Sequence, residues 1–333
     1  MDSANIAEKN QLNFSKIIIC VPTPIDKNYN PDLSMVSQAA KTAVECANKD
    51  TLIILESSTY PGTTRELIAP LLKQRFNLNE NEILLAYSPE RVDPGNTIWN
   101  SQNTPRLVSG LNEKSTMHVE EFYQGMQVPT YKVDSIEVAE AAKLFENTFR
   151  LVNIAFVNEI STVLRKLNID PRKVLEAAYT KPFGIMKFQM SAGIGGHCIP
   201  VDPYYLTWWA QQNQENLPIV EAAQFANKSM PVNIADRIVR ETGLSISNLF
   251  VVLVGITYKK GIRDARETPA LGIWRELEKR GAKLEWWDSL IDSWDDRKKY
   301  TDQAYIPDLC LIVTPTEFPE ELKSAHWIIN LSE

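Results

Sequence analysis

One cysteine lies in a setting suited to nucleophilic chemistry. Cys198 belongs to the glycine-rich run Gly-Ile-Gly-Gly-His-Cys-Ile-Pro-Val-Asp-Pro at 193–203. Glycines let a backbone approach a ligand closely, and a nearby cation or backbone N–H groups would favour the nucleophilic thiolate. Asp202 could position a water or a lysine. A tight turn with an incidental cysteine explains the run equally well. A metal site would need a second Cys/His cluster, which the sequence lacks.

A lysine and an asparagine share one face of a long predicted helix. Lys143 and Asn147 are four residues apart, and Ala139 lies one turn before them on the same face. A lysine among small apolar neighbours suits electrostatic stabilisation of an oxyanion. A solvated lysine beside two glutamates is the simpler interpretation, which the residue types alone favour.

Two polar segments follow predicted strands, the position at which parallel α/β sheets bind ligands. The first, Ser-Ser-Thr-Tyr-Pro-Gly-Thr-Thr at 57–64, offers hydroxyls and helix N–H groups to a ligand, although simple N-capping would explain half of it. In the second, Ser-Pro-Glu-Arg-Val-Asp-Pro-Gly at 88–95, Glu90 could act as a base or orient a water. A surface turn is the alternative for the second segment.

A cationic segment, Tyr-Lys-Lys-Gly-Ile-Arg-Asp-Ala-Arg-Glu-Thr-Pro-Ala at 258–270, precedes a predicted helix. Lysines and arginines beside a helix N-terminus form a phosphate site. A chain with a net charge of -7 needs such a local pocket to bind an anionic substrate. An exposed charged loop is the alternative.

The elements that must position these residues alternate between strand and helix in the first part of the chain. Hydrophobic periodicity predicts strand 16–21, helix 33–48, strand 52–55, helix 63–75, strand 83–86, and a further strand and helix within 106–122. Alternation of this kind predicts a parallel α/β sheet.

The middle of the chain is predicted to be helical and the last part to return to α/β. Residues 135–168 contain neither glycine nor proline, and Asp134 with Glu137 resembles a capping box, so we expect one long helix. Further helical segments reach residue 179 and cover roughly 221–241. The last part predicts strands at 249–257, 283–288 and 309–313, with one helix capped by Thr268, started by Pro269 and ended by Gly281.

Bulk composition excludes several classes of protein. The chain has 333 residues, of which 44% are hydrophobic, enough for two or three domains with real cores. It has no basic stripe typical of nucleic-acid binding, no secretory segment and no apolar run of about 18 residues, so we expect a cytoplasmic protein with no membrane or nucleic-acid partner. Three cysteines in apolar surroundings are predicted to be buried free thiols: Cys20, Cys46 and Cys310.

Together these segments resemble the UDP-glucose/GDP-mannose dehydrogenase family. The resemblance covers about residues 16–288 and rests on Val-Pro-Thr-Pro at 21–24 and on the segments at 58–64, 88–95, 195–200 and 258–270. Thr-Lys-Pro-Phe-Gly at 180–184 and the tyrosine at position 60 look most like the UDP-N-acetylglucosamine 6-dehydrogenases.

The resemblance implies oxidation of a UDP-sugar C6 alcohol to a carboxylate with NAD, for surface polysaccharide precursors. Cys198 would form a thiohemiacetal and then a thioester. The other catalytic residues implied are Lys143 and Asn147, which would stabilise the oxygen, and Glu90, Asp202 and Thr59, which would handle water and protons. The substrate-binding residues implied are Lys259, Gly195, Gly196 and Arg91. The cofactor-binding residues implied are Pro22, Thr23, Ser58, Thr59 and Arg266. No metal site is expected.

The resemblance also predicts three domains: a partial NAD-binding Rossmann-like domain at 1–134, a central all-helical dimerisation domain at 135–242, and a C-terminal Rossmann-like UDP-binding domain at 243–333. The helix at 135–168 would form the core of a homodimer. The family begins with a strand and a G-x-G-x-x-G turn, and we expect about 70 such residues to be absent here. Residues 190–192 and the part after 288 also depart from the family pattern. An alternative is therefore an inactive homologue that binds a nucleotide-sugar or dimerises with a relative.

Overall fold

The computed structural model describes residues 13–301 and 305–332, which form two compact units. The first unit comprises the chain up to Asn147 together with Val201–Asn216. The second comprises Thr148–Pro200 and the chain from Leu217 onwards.

The first unit contains a five-stranded sheet whose strands lie in chain order. These strands are β1 (Lys16–Ile19), β2 (Leu52–Leu55), β3 (Leu85–Tyr87), β4 (Arg106–Gly110) and β5 (Thr130–Lys132). The pairs β1–β2, β2–β3 and β4–β5 are parallel, as predicted. The pair β3–β4 is antiparallel, so the expectation of a fully parallel sheet is wrong here, and β5 was not predicted. The reversal has a simple cause: residues 88–105 connect the two strands as a loop, without a crossover helix.

Helices cover both faces of this sheet, which explains why all four residues of β2 are buried. Ile53 and Leu55 pack with the helices α1 (Ser34–Cys46) and α2 (Ala69–Phe76), whereas Leu52 and Ile54 pack with α3 (Glu113–Gly125). A π-helical turn, Thr64–Ile68, precedes α2, so the helix predicted at 63–75 has an irregular first half. The strand and helix predicted within 106–122 are β4 and α3.

The long helix α4 runs from Ile136 to Lys166, within the predicted range 135–168. Ser135 caps it, because its Oγ accepts a hydrogen bond from Val138 N at 3.2 Å. The predicted pairing of Asp134 with Glu137 is wrong, since Glu137 instead accepts a hydrogen bond from Arg65 at 2.7 Å.

The second unit combines helices with a four-stranded parallel sheet in the order β7-β6-β8-β9. Its strands are β6 (Phe250–Val254), β7 (Lys283–Trp287), β8 (Leu309–Ile312) and β9 (Trp327–Asn330), of which β9 was not predicted. Its remaining helices are α5 (Pro171–Ala178), α7 (Pro218–Lys228), α8 (Met230–Thr242) and α9 (Pro269–Lys279); α6 (Asp202–Gln212), also not predicted, belongs to the first unit.

Two details of these helices bear on the predictions. The single helix predicted at 221–241 is two helices, because Pro231 lies in the first turn of α8, where its missing N–H costs nothing. Thr268 does cap α9, since its Oγ1 accepts from Ala270 N at 3.2 Å.

The four cysteines are free thiols, and three of them were predicted to be buried. Cys310 is buried in β8, but Cys46 is only half-buried and Cys20 is exposed. Cys20 follows β1, which lies at the edge of the sheet, so its apolar sequence neighbours do not enclose it. Among the described residues, no helix is long and apolar enough to cross a bilayer.

Candidate functional site

The polar segment at 57–64 follows the carboxyl end of β2 in the first unit. Ser57 Oγ donates to Val21 O at 2.7 Å, which ties this segment to the segment that follows β1. Thr59 and Ser88 are fully buried, and within the described chain their side-chain oxygens make no hydrogen bond of good geometry. The same holds for Tyr87 Oη at the end of β3, although Tyr87 lies close enough to Thr59 to interact with it, as Ser88 does with Tyr123. These buried polar atoms therefore have one another and Tyr123 as near neighbours.

A buried carboxylate anchors the far end of the same segment. Glu140 of α4 accepts hydrogen bonds from Gly62 N at 2.6 Å and from Thr64, through N at 2.9 Å and Oγ1 at 2.6 Å. Burial raises the pKa of Glu140 to about 7, and the bonds from Thr64 oppose this shift. Glu140 therefore fixes the turn that carries Ser58 and Thr59 against α4.

Lys143, Asn147 and Asp202 form a polar group in which Asn147 and Asp202 are buried and Lys143 is half-buried. Asn147 Nδ2 donates to Asp202 Oδ2 at 2.6 Å, and both side chains are at least 95% buried. Burial raises the pKa of Asp202 to about 6. The positive charge of Lys143 and the hydrogen bonds from Asn147 and Ser58 act in the opposite direction and favour the carboxylate. Lys143, predicted to have small apolar neighbours, is half-buried and lies within electrostatic range of Asp202.

Glu90 is oriented by three donors after β3. Its Oε1 accepts from the backbone N–H groups of Arg91 and Val92 at 2.7 and 2.8 Å, and its Oε2 accepts from Arg106 at 3.1 Å. The guanidinium of Arg106 also pairs with Glu56 at 2.9 Å. Glu90 is about half exposed, so its carboxylate is held in place and yet accessible.

Arg91, predicted to bind substrate, is held by α4. Its Nη2 and Nε donate to the two carboxylate oxygens of Glu146 at 2.6 and 3.2 Å, and its Nη1 donates to Pro105 O at 2.8 Å. In this arrangement Arg91 orders the loop after Glu90. Of the residues predicted to contact the cofactor after β1, Pro22 is exposed and Thr23 is half-buried.

In the second unit, the cysteine loop packs against the cationic segment. Gly196 N donates to Glu267 O at 3.1 Å. A Cβ on Gly195 would lie 2.5 Å from Pro269 Cδ, and one on Gly196, whose φ is +90°, would lie 3.1 Å from the Tyr258 ring. These glycines are therefore required for the close approach of the two loops.

That packing brings the Cys198 thiol into the electrostatic range of Arg266. The pKa of Arg266 is raised, chiefly by its hydrogen bond to Asp264 and also by Tyr258 and Cys198. A guanidinium near a thiol favours the nucleophilic thiolate. Arg266 and Lys259 lie on the loop between β6 and α9, as predicted, and Asp264 holds Arg266 with bonds of 2.7 to 3.1 Å.

The predicted residues therefore fall into two groups, one in each unit. The first unit holds Pro22, Thr23, Ser58, Thr59, Glu90, Arg91, Lys143, Asn147 and Asp202; the second holds Gly195, Gly196, Cys198, Lys259 and Arg266. Within the described residues, no group of three or more histidines, cysteines, aspartates or glutamates could hold a metal ion.

Family models match nearly the whole chain. The UDP-glucose/GDP-mannose dehydrogenase family matches through its NAD binding domain at 2–127, its central domain at 137–229 and its UDP binding domain at 252–333. The chain belongs to this family. These matches confirm the predicted family and the NAD cofactor. They also confirm the α/β fold, with its N-terminal Rossmann domain, helical centre and C-terminal UDP-binding domain. Members of the family are NAD-dependent UDP-sugar dehydrogenases.

Individual relatives agree with this assignment. The UDP-N-acetyl-D-glucosamine 6-dehydrogenase of Salmonella typhi is 34% identical over 303 residues, which cover 90% of this chain and 70% of that one. Protein CapL of Staphylococcus aureus is 35% identical over 326 residues, which cover 95% and 76%. The solved structure of UDP-D-ManNAc dehydrogenase from Pyrococcus horikoshii superposes with a TM-score of 0.82 at 28% identity and covers 98% of this chain and 79% of that one.

Ser58 and Thr59 follow the carboxyl end of β2, a position at which parallel α/β sheets bind nucleotides. The assignment of Thr23, Ser58 and Thr59 to the cofactor stays a prediction.

Sequence reasoning missed two residues that organise the site. Glu140 was read only as a charged neighbour of Lys143, although its spacing of three residues from Lys143 places it on the same side of α4. Arg106 was read as the start of a strand; an arginine that opens a buried strand is itself a signal, because such a charge needs partners.

Proposed function

We propose that this chain oxidises the C6 alcohol of UDP-N-acetylglucosamine to the uronic acid, in two NAD-dependent steps. The observation that carries the proposal is the packing of the Cys198 loop against the segment at 258–267, which opens the part matched by the UDP binding domain. A nucleophile packed on a nucleotide-binding loop suits covalent capture of a sugar aldehyde. The Salmonella relative named for this substrate supports the choice of sugar.

The chain's own residues divide the work as follows. Lys259 supplies positive charge for the diphosphate of the substrate, whereas Arg266, assigned to the cofactor, also favours the thiolate of Cys198. The Cys198 thiolate attacks the C6 aldehyde to form a thiohemiacetal, and loss of hydride from C6 then gives a thioester, which water hydrolyses to the carboxylate and the free thiol. When bound, NAD would supply the hydride acceptor that both oxidations require.

The polar group of the first unit handles charge and protons. We propose that Lys143 and Asn147 stabilise the C6 oxygen as negative charge develops on it. Asp202, with a pKa of about 6, is mostly ionised at neutral pH and can take the proton of the alcohol or of the hydrolytic water. Glu90 orients that water through its fixed carboxylate, which Val92 N holds at 2.8 Å. Thr59 would relay protons through its hydroxyl.

A homodimer through α4 is the assembly we propose. One face of this helix exposes a stripe of large apolar side chains spaced by seven, four, three and four residues: Phe149, Phe156, Ile160, Val163 and Leu167. Such a stripe is typical of a helix that packs against a partner. We place the protein in the cytoplasm, in agreement with its free cysteines.

The test is turnover by the purified chain. UDP-N-acetylglucosamine, UDP-N-acetylmannosamine and UDP-glucose are each supplied with NAD, and the absorbance of the reduced cofactor is followed. We expect the highest kcat/KM with UDP-N-acetylglucosamine. Cys198→Ser should abolish formation of the acid, whereas Cys46→Ser, a half-buried thiol of α1, should retain it.

Each outcome distinguishes the possibilities. A higher kcat/KM with another UDP-sugar would refute the proposed identity of the substrate but not the proposed reaction. Absence of turnover in a folded chain that still binds the nucleotide-sugar calorimetrically would refute the dehydrogenase activity and support the nucleotide-sugar-binding homologue.

A further inference from the structure

A cleft in the second unit is lined by arginines that the proposed reaction does not use. It lies between α4, α8 and the segment at 190–191, and includes Leu331 after β9. The polar residues that line it are Asn158, Thr162, Arg165, Ser191, Asn233, Arg237 and Arg240.

Positive charge dominates this arginine cleft. Within the described chain, its lining includes three arginines and no acidic residue. A neighbouring cleft shares Arg237 and adds Arg172 and Glu241. Four guanidinium groups therefore line the two clefts beside one carboxylate, in a chain whose net charge is -7.

The carboxylates near the clefts are already engaged. Glu241 accepts from Arg237 at 2.8 Å, and Asp170 accepts from Arg172 at 3.4 Å. Burial, together with the like charge of Arg237, lowers the pKa of Arg165 to about 10, although the carboxylates of Glu241 and Asp170 oppose this shift. Partly buried cations with like-charged neighbours are stabilised by a bound anion.

We propose that the arginine cleft binds a phosphate-type anion, either free phosphate or the phosphate of a small metabolite. Guanidinium groups from two helices, α4 and α8, can surround a tetrahedral anion with several donors at once, which is the arrangement that favours phosphate. The hydroxyl of Ser191 and the amide of Asn233 offer further donors.

The site would also connect separate elements of the second unit. Arg237 Nη1 donates to Asn330 O, the last residue of β9, at 3.4 Å. An anion held by Arg165, Arg237 and Arg240 thus bridges α4 to α8 and, through Arg237, reaches the end of the sheet. Binding to the folded state alone raises its stability, so the anion stabilises this unit.

The test compares phosphate with chloride at equal ionic strength, because screening alone affects arginine clusters. Thermal melting and calorimetric titration are measured with inorganic phosphate and, separately, with UMP. The variants Arg165→Gln and Arg240→Gln each remove one cleft charge, and Arg240 is exposed, so its replacement leaves the core intact. Arg150→Gln is the matched control, since it removes an exposed arginine from α4 outside the cleft.

We expect phosphate to raise the melting temperature of the wild type, and either cleft variant to weaken binding by about tenfold or more. The control should bind as the wild type does. Tighter binding of UMP that depends on the same arginines would identify a nucleotide as the source of the phosphate. The proposal is overturned if neither anion binds to the wild type or raises its melting temperature, or if Arg150→Gln loses as much anion affinity as the cleft variants. Loss of anion affinity in Lys259→Gln alone would place the anion at the nucleotide-sugar loop and would also overturn the proposal.

Discussion

Replacement of Gly195 by alanine tests the packing of the cysteine loop. The new Cβ would lie 2.5 Å from Pro269 Cδ and 2.8 Å from Glu267 O. An ordinary contact begins at 3.4 Å, so the two loops must separate by 3.4 minus 2.5, or about 0.9 Å. Pro269 belongs to the first turn of α9 and Glu267 contributes backbone, so neither can simply rotate away.

The expected effect has two parts. Overpacking of this kind costs about 1–3 kcal/mol of stability. A displacement of about 1 Å between a nucleophile and its substrate can lower the rate about 100-fold. We therefore expect Gly195→Ala to fold, to melt a few degrees lower, and to lose about 100-fold in kcat/KM.

The assays are urea denaturation, turnover, and the rate of Cys198 alkylation by iodoacetamide, which reports the thiol even without turnover. Gly125→Ala is the control, because a Cβ there meets no atom within 4 Å. Retention of kcat/KM and of the alkylation rate within about threefold of the wild type would show that the loop–loop contact does not position the thiol, and would refute the reasoning.

Three further predictions follow from the structure. The pKa of Glu140 is about 7 in the folded protein, against a reference value of 4.5, so its stabilising contribution is present below about pH 4.5 and is lost as pH rises through about 7. Between these pH values, the wild type should lose unfolding free energy relative to Glu140→Gln by at most about 1.4 kcal/mol per pH unit. Equal pH dependence of the two proteins in urea titrations would contradict this. Thr268→Ala should destabilise the fold by about 1 kcal/mol through loss of the α9 cap, and an unchanged urea midpoint would count against it. Phe156→Asp should convert the proposed dimer to a monomer in analytical ultracentrifugation, whereas Arg150→Gln should leave the dimer intact. A Phe156→Asp variant that remains dimeric would show that the exposed face of α4 is not the dimer interface.

The sequence predicts the elements with strong hydrophobic patterns and misses the short ones. β2 was placed to the residue, and α4 within two residues at either end, because a buried run and a long amphipathic repeat have clear periods. β5 and β9 have three and four residues and are partly exposed, so no period was visible. The antiparallel β4 could not be foreseen, since strand direction depends on the course of the intervening loop.

The site was predictable in its residue types and less so in its interactions. Asp202 and Asn147 were both proposed, but nothing in their separation of 55 positions shows that they share a hydrogen bond. The role of Gly195 and Gly196 was read as room for a ligand, whereas the structure shows that they also make room for the cationic loop. Contacts between distant segments depend on tertiary packing, which local patterns do not encode.

The π-helical turn at 64–68 accommodates one residue more than an α-helical turn would. Deletion of one residue between Gly62 and Ala69 would let this turn relax to an α-helical turn and leave the core-facing side of α2 nearly unchanged. Insertion of a further residue would instead rotate α2 by roughly 100°. Leu72 would then leave the core while the Glu140 anchor held the upstream end fixed. A scan of single-residue changes should therefore find insertions in this stretch more damaging than deletions.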